Sequence, residues 1–345
     1  MDIAGGAAGK LEEAALSAIN EPGAKRQSME QRYSVVILTD PRNVVDERLS
    51  LNDKNELVVV GSETVVGGHT EDQIIADFLS EEFSVTLQDY RDSLDGIKAD
   101  VIMVGRNWPL ENQDHDEYQT WKRLFIQEHR NVTSTVPLYN SPDGHGDIVG
   151  KDHLVRLYQD KADDGILGQH IIPTTFLRQG MASAFPEYEH YVIKPIDGLS
   201  SLGSSVATRS NFLLLSEDPG EDFSSPEPKF IVQPLLEIEK EISFYFVDGE
   251  LQYCLDFPPK IPEWRPPLPY QPSSEERVVA DGFIDWNNMS RGITRLDFAR
   301  TSDGRFYLLE IEDFNPYLSL PDIPEELKNK HLAALSASLK KVLEE

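Results

Sequence analysis

Short apolar runs alternate with amphipathic stretches in the first part of the chain. The runs that are typical of strands lie at 34–38, 57–60, 83–87 and 99–104. Residues 73–83 carry apolar side chains at helical spacing between them. This alternation predicts an N-terminal α/β domain with a mainly parallel sheet over residues 31–136. Residues 1–30, rich in Ala, Gly and Glu, predict a flexible N-terminal extension.

The rest of the chain has fewer helical patterns and more strand-like ones. A helix at 151–160 and a strand at 191–194 predict a central subdomain over residues 137–215. Strands that we predict to be antiparallel follow at 230–233, 242–247, 251–255, 294–299 and 306–311. Turns at Asp248-Gly249 and at Ser302-Asp303-Gly304 predict two hairpins, and a helix at 324–343 ends the chain. We therefore predict a C-terminal antiparallel-sheet subdomain over residues 216–345.

Charge and composition narrow the classes of function. The chain has 345 residues and a formal net charge of -28, which disfavours nucleic acids and anionic membranes as partners. Its single cysteine, Cys254, allows neither an internal disulfide nor a cysteine-rich zinc site. We see neither a signal-peptide pattern nor an apolar run of membrane-spanning length, so the expected location is the cytoplasm. An anionic substrate would need a locally positive or metal-containing site in such a protein.

A lysine at the end of a predicted strand introduces the first candidate site. Lys194 is followed by a polar loop that contains Gly198, Ser200, Ser201 and Gly203. Glycines let backbone N–H groups approach phosphate oxygens, and serine hydroxyls add donors. The same composition is equally typical of a surface loop.

The hairpin at 294–311 carries the second candidate. Arg295 and Asp297 lie on one face of the first strand, and Glu310 and Glu312 share a face of the second. If these faces coincide, three carboxylates meet, and their repulsion is relieved by an ion such as Mg²⁺. A solvated acidic face is the alternative. The other face is apolar, with Leu296, Phe298, Leu309 and Ile311.

A third pattern is a strand that passes into a short linker. The segment formed by Gln233, Pro234, Leu235 and Leu236 offers backbone groups to the edge of a purine, and Glu241 offers a carboxylate to a ribose. A plain edge strand would have the same sequence.

These features occur in an order that resembles the ATP-grasp superfamily, in particular its D-alanine–D-alanine ligase and glutathione synthetase branch. The resemblance covers roughly residues 139–320. It implies an α/β ATP-grasp fold in which a central lid subdomain and the C-terminal antiparallel sheet enclose ATP. It also implies an ADP-forming enzyme that activates a carboxylate as an acyl phosphate and joins it to an amine. The substrates would be small amino-acid-like molecules or peptides, and a homodimer is compatible with the superfamily.

The resemblance also implies roles for individual residues. Lys151, Lys194 and the loop from Gly198 to Gly203 would contact the phosphates of ATP, and Lys260 would meet its terminal phosphate. The adenine and ribose would contact Gln233 to Leu236 and Glu241. Arg295 would stabilise the tetrahedral intermediate. Two Mg²⁺ ions, with Mn²⁺ as an alternative, would be bound by Asp297, Glu310 and Glu312.

Two departures from the family pattern limit the resemblance. Glu312 stands where the family usually has Asn, and Asp313-Phe314-Asn315-Pro316-Tyr317 replaces a shorter segment that often ends in Pro-Gly. The acceptor site should therefore differ from that of D-alanine–D-alanine ligase. Gly67 to Glu71 resembles a ligase loop, with a hairpin turn as the alternative, and the proline-rich segment 257–272 is a candidate lid. A phosphotransferase and a non-catalytic ATP-binding regulator remain the competing functions.

Overall fold

The computed structural model describes residues 32–40, 44–51, 57–65, 68–92, 98–106, 112–130, 136–177, 188–197, 204–212, 228–257 and 266–344. The predicted extension at 1–30 lies outside these ranges. Mixed α/β structure is present throughout, in agreement with the predicted fold class.

The N-terminal region contains the expected parallel sheet. Strand β1 (Ser34–Thr39) lies between β4 (Ser84–Asp89) and β5 (Val101–Val104), and both pairings are parallel. Helix α1 (Gly68–Leu79) contributes Ile75 and Leu79 to the core on this sheet. Because the helix begins at Gly68, the hairpin turn that we considered at 67–71 is wrong.

Two other N-terminal elements extend beyond the sequence prediction. The strand expected at 57–60 is β3 (Leu57–Val65), which forms a separate antiparallel pair with β2 (Val44–Leu51). Helix α2 (Asn112–Arg130) was not predicted, because polar residues dominate its sequence. Its apolar face carries Tyr118, Trp121 and Phe125, whose rings stack in succession along the helix.

The central sheet has four strands in the order β6-β9-β7-β8, all paired antiparallel. Their bounds are β6 (Thr175–Phe176), β7 (His190–Pro195), β8 (Ser205–Thr208) and β9 (Phe230–Pro234). Helix α3 (His153–Lys161) packs Leu154 and Val155 against Ile231 of β9. The predicted boundary between residues 215 and 216 falls outside the described residues, whereas β9, which we had assigned to the C-terminal subdomain, belongs to the central sheet.

The C-terminal sheet has five strands in the order β12-β11-β10-β13-β14. They are β10 (Ile238–Val247), β11 (Glu250–Phe257), β12 (Leu268–Pro269), β13 (Ile293–Thr301) and β14 (Phe306–Glu312). Both predicted hairpins are present, as β10–β11 and β13–β14. Phe244, Phe298 and Phe306 form an aromatic cluster in the core on one face.

Two helices complete the C-terminal region. Helix α4 (Ser274–Asn287) was not predicted, although Ser273 and Glu276 form a complete capping box at its start. Helix α5 (Glu325–Glu344) matches the predicted C-terminal helix. None of the described helices is long and apolar enough to cross a membrane.

A β-bulge changes which face of β14 carries Leu309. The register shifts between Asp297 and Phe298, so that Phe298 pairs with Leu308 rather than Leu309. The extra residue reverses the alternation of side chains on the bulged strand. Leu308 is buried in the core and Leu309 faces a cleft beside Glu310. Our assignment of Leu309 to the apolar face was therefore wrong.

Gly292 allows a close approach that holds the start of β13. It has a φ of 124°, and a Cβ there would lie 2.6 Å from Asn140 Oδ1 and 2.8 Å from its Cα. Asn140 in turn donates to Asp313 O (2.9 Å) and accepts from Ile293 N (3.0 Å). The segments at 140, 293 and 313 are thus joined through one buried amide.

Substitution of Gly292 by Ala is expected to destabilise the protein through both backbone strain and this clash. We expect a loss of about 2–4 kcal/mol in unfolding free energy, measured by urea denaturation. Gly304→Ala is the control, because Gly304 also has a positive φ (84°) but its Cβ would meet nothing within 4 Å. It should lose only the strain contribution, about 1 kcal/mol. Equal losses would show that the contact with Asn140 contributes nothing.

Candidate active site

A cleft of about 450 Å³ lies where the central sheet, the C-terminal sheet and the end of β5 meet. Every predicted site residue that the structure describes lines it: Lys151, Lys194, Gln233, Pro234, Leu235, Leu236, Glu241, Arg295, Asp297, Glu310 and Glu312. The predicted residues Gly198, Ser200, Ser201, Gly203 and Lys260 lie outside the described ranges, so their placement stays a prediction.

The β13–β14 hairpin brings the three candidate metal ligands together. Asp297 stands opposite Glu310, and Arg295 stands opposite Glu312. Both pairs lie on the same side of the bulge, before it along β13 and after it along β14. All four side chains line the cleft. The coincidence of faces on which the sequence argument depended is therefore present.

Arg295 connects two of these carboxylates. Its Nε and Nη2 donate to Asp297 Oδ1 (2.9 Å) and Oδ2 (2.7 Å), and Nη2 also donates to Glu312 Oε1 (2.6 Å). Nη1 donates to the carbonyl oxygen of Tyr317 at 3.0 Å. Ser243 Oγ gives Asp297 a further donor at 2.6 Å. Charged hydrogen bonds of this bidentate kind hold the guanidinium in one orientation.

The cleft has more buried negative charge than its own cations neutralise. Burial raises the pKa of Glu312 to about 8; Arg295 opposes this rise, while Asp297 and Glu310 add to it. The ionised form of Glu312 is therefore less stable in the cleft than in water. A divalent cation is the kind of group that would relieve this charge.

Lys151 is ion-paired with Glu310 inside the cleft. Burial lowers the pKa of Lys151, but the charge of Glu310 more than offsets this, so the pKa lies above its ordinary value. The backbone N–H of Lys151 donates to Ile196 O at 2.9 Å, which ties this residue to the end of β7. Nearby, neutral His153 accepts from Ile311 N (3.3 Å), because burial lowers its pKa to about 4.

Several apolar side chains line the end of the cleft at the central sheet. Ile172, Val192 and Ile238 line it together with Leu235 and Leu236, and Glu241 lies on β10 beside them. Gln233 is buried and donates to Thr174 Oγ1 at 2.9 Å, while Leu235 N donates to His190 O at 3.0 Å. Apolar side chains next to backbone polar groups suit a flat aromatic base whose polar edge meets those backbone groups.

Five polar or aromatic residues that the sequence argument missed also line the cleft: Arg106, Tyr118, Asp147, Asn315 and Tyr317. Arg106 lies two residues after β5, and ligands of α/β sheets gather at the carboxyl ends of parallel strands. Arg106 could therefore have been predicted as a site residue, because it follows the strand that we predicted at 99–104. Tyr118 was missed together with α2, and Asn315 and Tyr317 were noted only as a departure from the family pattern.

Asp313, the residue after Glu312, has a structural task. Its carboxylate accepts from Gly146 N (2.9 Å) and Ile148 N (2.8 Å), while Asp147 Oδ1 accepts from Asp313 N (2.7 Å) and Phe314 N (3.1 Å). Burial raises the pKa of Asp313 to about 8, and the charge of Asp147 adds to the rise. The segments 146–148 and 313–314 thus bind each other, which fixes the course of the chain after β14.

Two adjacent buried acids in the first half of α1 bind backbone groups of segments on the N-terminal side of the cleft. Glu71 accepts from Leu318 N (2.9 Å) and Leu320 N (3.0 Å). Asp72 accepts from Arg106 N (2.9 Å to Oδ2) and from the hydroxyl of Thr39. Helix α1 therefore fixes the segment that carries Tyr317 and the backbone of Arg106. The ligase loop that Gly67 to Glu71 resembled stays an untested interpretation.

Glu71 predicts a pH dependence of stability. Burial raises its pKa from 4.5 to about 7, against the pull of its two N–H donors and of Arg106, while Asp72 adds to the rise. Between those pH values the folded state keeps a proton that the unfolded state has lost, so stability falls as pH rises and levels off above pH 7. Glu71→Gln removes this contribution. Its stability relative to wild type should rise by about 3 kcal/mol from pH 4.5 to 7 in urea denaturation.

Glu81→Gln is the matched control for this prediction, because Glu81 is exposed just after the same helix. Its stability difference from wild type should stay constant with pH. If the Glu71→Gln and wild-type curves also run parallel between pH 5 and 8, Glu71 ionises normally and the prediction is wrong.

Among the described residues, no three His, Cys, Asp or Glu side chains converge on one point as a ready-made ion site. In the cleft, Arg295 is ion-paired with Asp297 and Glu312, and Lys151 is ion-paired with Glu310. The oxygen donors that Mg²⁺ prefers are present, but protein cations occupy them.

Comparison with known proteins gave matches to solved structures but no match to any protein-family model or curated protein. The D-cycloserine synthetase DcsG superposes with a TM-score of 0.60 at 17% identity, over 89% of this chain and 99% of that one. D-alanyl-alanine synthetase A from Vibrio cholerae gives 0.55 at 14% identity, over 91% and 99%. A RiPP-associated ATP-grasp ligase from Chryseobacterium gregarium gives 0.56 at 11% identity, over 90% and 97%. Likenesses at such low identity establish a shared fold.

Proposed function

Since this chain has the ATP-grasp fold, we propose that it is an ATP-dependent ligase. It activates a substrate carboxylate as an acyl phosphate, joins it to an amine or a related nucleophile, and releases ADP and phosphate. The substrates we propose are small amino-acid-like molecules or peptides. The proposal includes a cytoplasmic location and a homodimer.

One observation carries the proposal. Asp297, Glu310 and Glu312 face one cleft from paired strands, and Arg295 and Lys151 lie in ion-pair contact with them. Such a concentration of opposed buried charges contributes little to stability, because desolvation offsets the attraction. It suits a site where negative phosphate groups and a cation enter together.

The nucleotide would lie along the cleft from the central sheet towards this hairpin. The adenine fits the end of the cleft at Gln233 to Leu236, and Glu241 is available to the ribose hydroxyls. Lys151 and Lys194 extend the site towards the phosphates. The loop from Gly198 to Gly203 and Lys260 complete the proposed phosphate contacts.

The donor set fits magnesium in its chemistry. Three carboxylates supply oxygen ligands, and burial, together with the charges of Asp297 and Glu310, raises the pKa of Glu312. Asp297, Glu310 and Glu312 would hold the ion or ions. When bound, Mg²⁺ supplies charge neutralisation for the phosphoryl group in transfer. Two ions, and Mn²⁺ as a substitute, remain predictions.

The chain's own residues then account for the two steps. A carboxylate oxygen of the substrate attacks the γ-phosphorus of ATP, the bond to the β-phosphate oxygen breaks, and ADP leaves. Lys151 and Lys194 hold the phosphate charge during this step. The amine nitrogen then attacks the acyl carbon, loses a proton, and expels phosphate. Once entering cations take over its contacts with Asp297 and Glu312, Arg295 stabilises the oxyanion that forms on the carbonyl oxygen.

Product analysis tests the proposal. The protein is incubated with Mg²⁺-ATP and pools of amino acids, dipeptides and small carboxylates, and the nucleotide and phosphate products are resolved. We expect ADP and free phosphate that depend on a particular pool. AMP and pyrophosphate would point to adenylation and contradict the mechanism. A phosphorylated product without dependence on an amine would indicate a phosphotransferase, and ATP binding without turnover on any pool would favour a regulatory ATP binder.

A further inference from the structure

His153 is a buried histidine between two parts of the proposed site. It is the first residue of α3, and none of its surface is exposed. Lys151, a proposed phosphate contact, lies two residues before it. Strand β14, which carries Glu310 and Glu312, contacts its ring. None of the proposed nucleotide or metal contacts uses the imidazole, yet it bonds to both segments.

The two ring nitrogens of His153 bond to the backbone of different segments. Burial lowers the pKa of His153 to about 4, so the ring has a single proton near neutral pH. That proton is on Nδ1, because Nδ1 lies 2.8 Å from Gly150 O and a carbonyl oxygen can only accept. Nε2 is then an acceptor, and Ile311 N, between Glu310 and Glu312, donates to it at 3.3 Å. One imidazole thus links the segment before α3 to the strand that carries two proposed metal ligands.

Ligand entry need not disturb this link. The ion pair between Lys151 and Glu310 joins the same two segments, but phosphate and Mg²⁺ would compete for both of its members. The link through His153 uses an imidazole and two backbone groups instead. Neither His153 nor Ile311 has exposed surface or lines the cleft. The link can therefore hold the spacing of the two segments while the charged side chains change partners.

The spacing between these segments decides whether one phosphate group can meet both. Lys151 would supply positive charge from the first segment, and a cation bound by the carboxylates of β14 would supply it from the second. A displacement of about 1 Å can cost about 100-fold in rate, because the reacting groups then leave their productive geometry. A residue that fixes this spacing affects catalysis without touching a substrate.

We propose that His153 is a positioning residue that sets the spacing between Lys151 and the end of β14 that carries Glu310 and Glu312. Its two ring nitrogens form the two ends of the link. The inference rests on the proposed function, because that function makes Lys151 a phosphate contact and the two glutamates metal ligands.

Two substitutions separate the two ends of the link. The amide of Gln lies near the position of Nε2 in histidine, so His153→Gln can present its oxygen to Ile311 N. The amide of Asn lies near the position of Nδ1, so His153→Asn can donate to Gly150 O but does not reach Ile311. A purely local role at the start of α3 would be restored by Asn, whereas the proposed role would be restored by Gln.

Amide hydrogen exchange at Ile311, followed by NMR without nucleotide, shows whether the link is present. In His153→Asn we expect exchange about tenfold faster than in the wild-type protein, because the amide has lost its acceptor. In His153→Gln we expect exchange within about threefold of wild type, because the acceptor is replaced.

Nucleotide binding and turnover show whether the link matters to the site. Mg²⁺ should strengthen the binding of the non-hydrolysable analogue AMP-PCP to the wild-type protein and to His153→Gln, and this gain should be about tenfold smaller in His153→Asn. The single-turnover rate of ADP formation, with the substrate pool that activates the wild-type protein, should fall about 100-fold in His153→Asn and less than about tenfold in His153→Gln. Urea denaturation identifies the temperature at which both variants are folded, and the rates are compared there.

His170→Leu is the matched control. His170 Nδ1 lies 2.6 Å from Phe306 O at the other end of β14, and His170 does not line the cleft, so this variant should keep wild-type exchange, binding and rate. Equal exchange at Ile311 in the two His153 variants, equal function in both, or better function in His153→Asn overturns the inference. Failure of the wild-type protein to bind AMP-PCP would contradict the proposed function and the positioning role with it, whereas exchange at Ile311 reports the link independently of nucleotide.

Discussion

Replacement of Asp297 by Asn is expected to lower ADP formation by about 10³-fold, since a bound divalent ion contributes several kcal/mol of charge stabilisation and Asn is a neutral, weaker ligand. The change keeps the size of the side chain. An amide oxygen can still accept from Ser243 Oγ, which lies 2.6 Å from Asp297 Oδ1. The fold should therefore survive while the charge at the centre of the hairpin is lost.

The measurement is ADP release with the substrate pool that activates the wild-type protein, together with AMP-PCP binding with and without Mg²⁺. In Asp297→Asn the dependence of nucleotide affinity on Mg²⁺ should weaken. Asp303→Asn is the matched control, because Asp303 lies in the turn of the same hairpin, accepts from Thr301 Oγ1, and does not line the cleft. If Asp297→Asn keeps its activity within tenfold of wild type, Asp297 is not a metal ligand.

Local patterns were sufficient to predict four of the five strands of the C-terminal sheet, but not β12, which lies in the proline-rich segment 257–272. The β10–β11 hairpin follows from Asp248-Gly249, which adopt φ values of 49° and 75° as a tight two-residue turn requires. On the β13–β14 hairpin, alternation alone placed Arg295 and Asp297 on one face, and the structure puts Glu312 and Glu310 opposite them. Alternation failed only at Leu309, because a bulge depends on how two strands meet rather than on either strand's sequence.

The N-terminal side of the cleft depends on contacts that no local pattern contains. Arg106 meets Asn315 across 209 residues of sequence, and Glu71 meets Leu318 across 247. The sequence does not distinguish such a carboxylate, which is buried and accepts from two backbone N–H groups, from the other acids, because the chain has 60 Asp and Glu residues in all. The predicted site residues were accessible because they lie within single hairpins and strand ends, whereas the N-terminal side of the cleft is assembled between distant segments.

The missed helices have different explanations. In α4 a recognisable signal was overlooked, since Ser273 and Glu276 have capping-box spacing before an apolar pattern. In α2 the helix is stabilised by one aromatic face, Tyr118, Trp121 and Phe125, against the N-terminal sheet. Tertiary packing of that face outweighs the polar character of the rest of the helix.

Replacement of Arg295 by Met should affect stability and catalysis together. The side chain keeps much of its volume but loses its four hydrogen bonds, leaving Asp297 and Glu312 side by side in a buried site without their cation. Breaking a buried ion pair from one side typically costs about 3–5 kcal/mol, so urea denaturation should show a loss of that order. Loss of the oxyanion donor should lower the single-turnover rate by about 100- to 1000-fold at temperatures where the variant is folded.

Two further variants separate these effects. Arg295→Lys keeps a positive charge between the carboxylates but cannot form the bidentate pair, so it should recover most of the stability and little of the rate. Arg305→Met removes an exposed arginine whose Nε lies 3.1 Å from Asp303 and should leave both quantities unchanged. If Arg295→Met lost stability but kept its rate, Arg295 would serve only to neutralise the carboxylates. Because its guanidinium already contacts both Asp297 and Glu312, the catalytic role requires that entering cations take over those contacts and turn the arginine towards the substrate carbonyl.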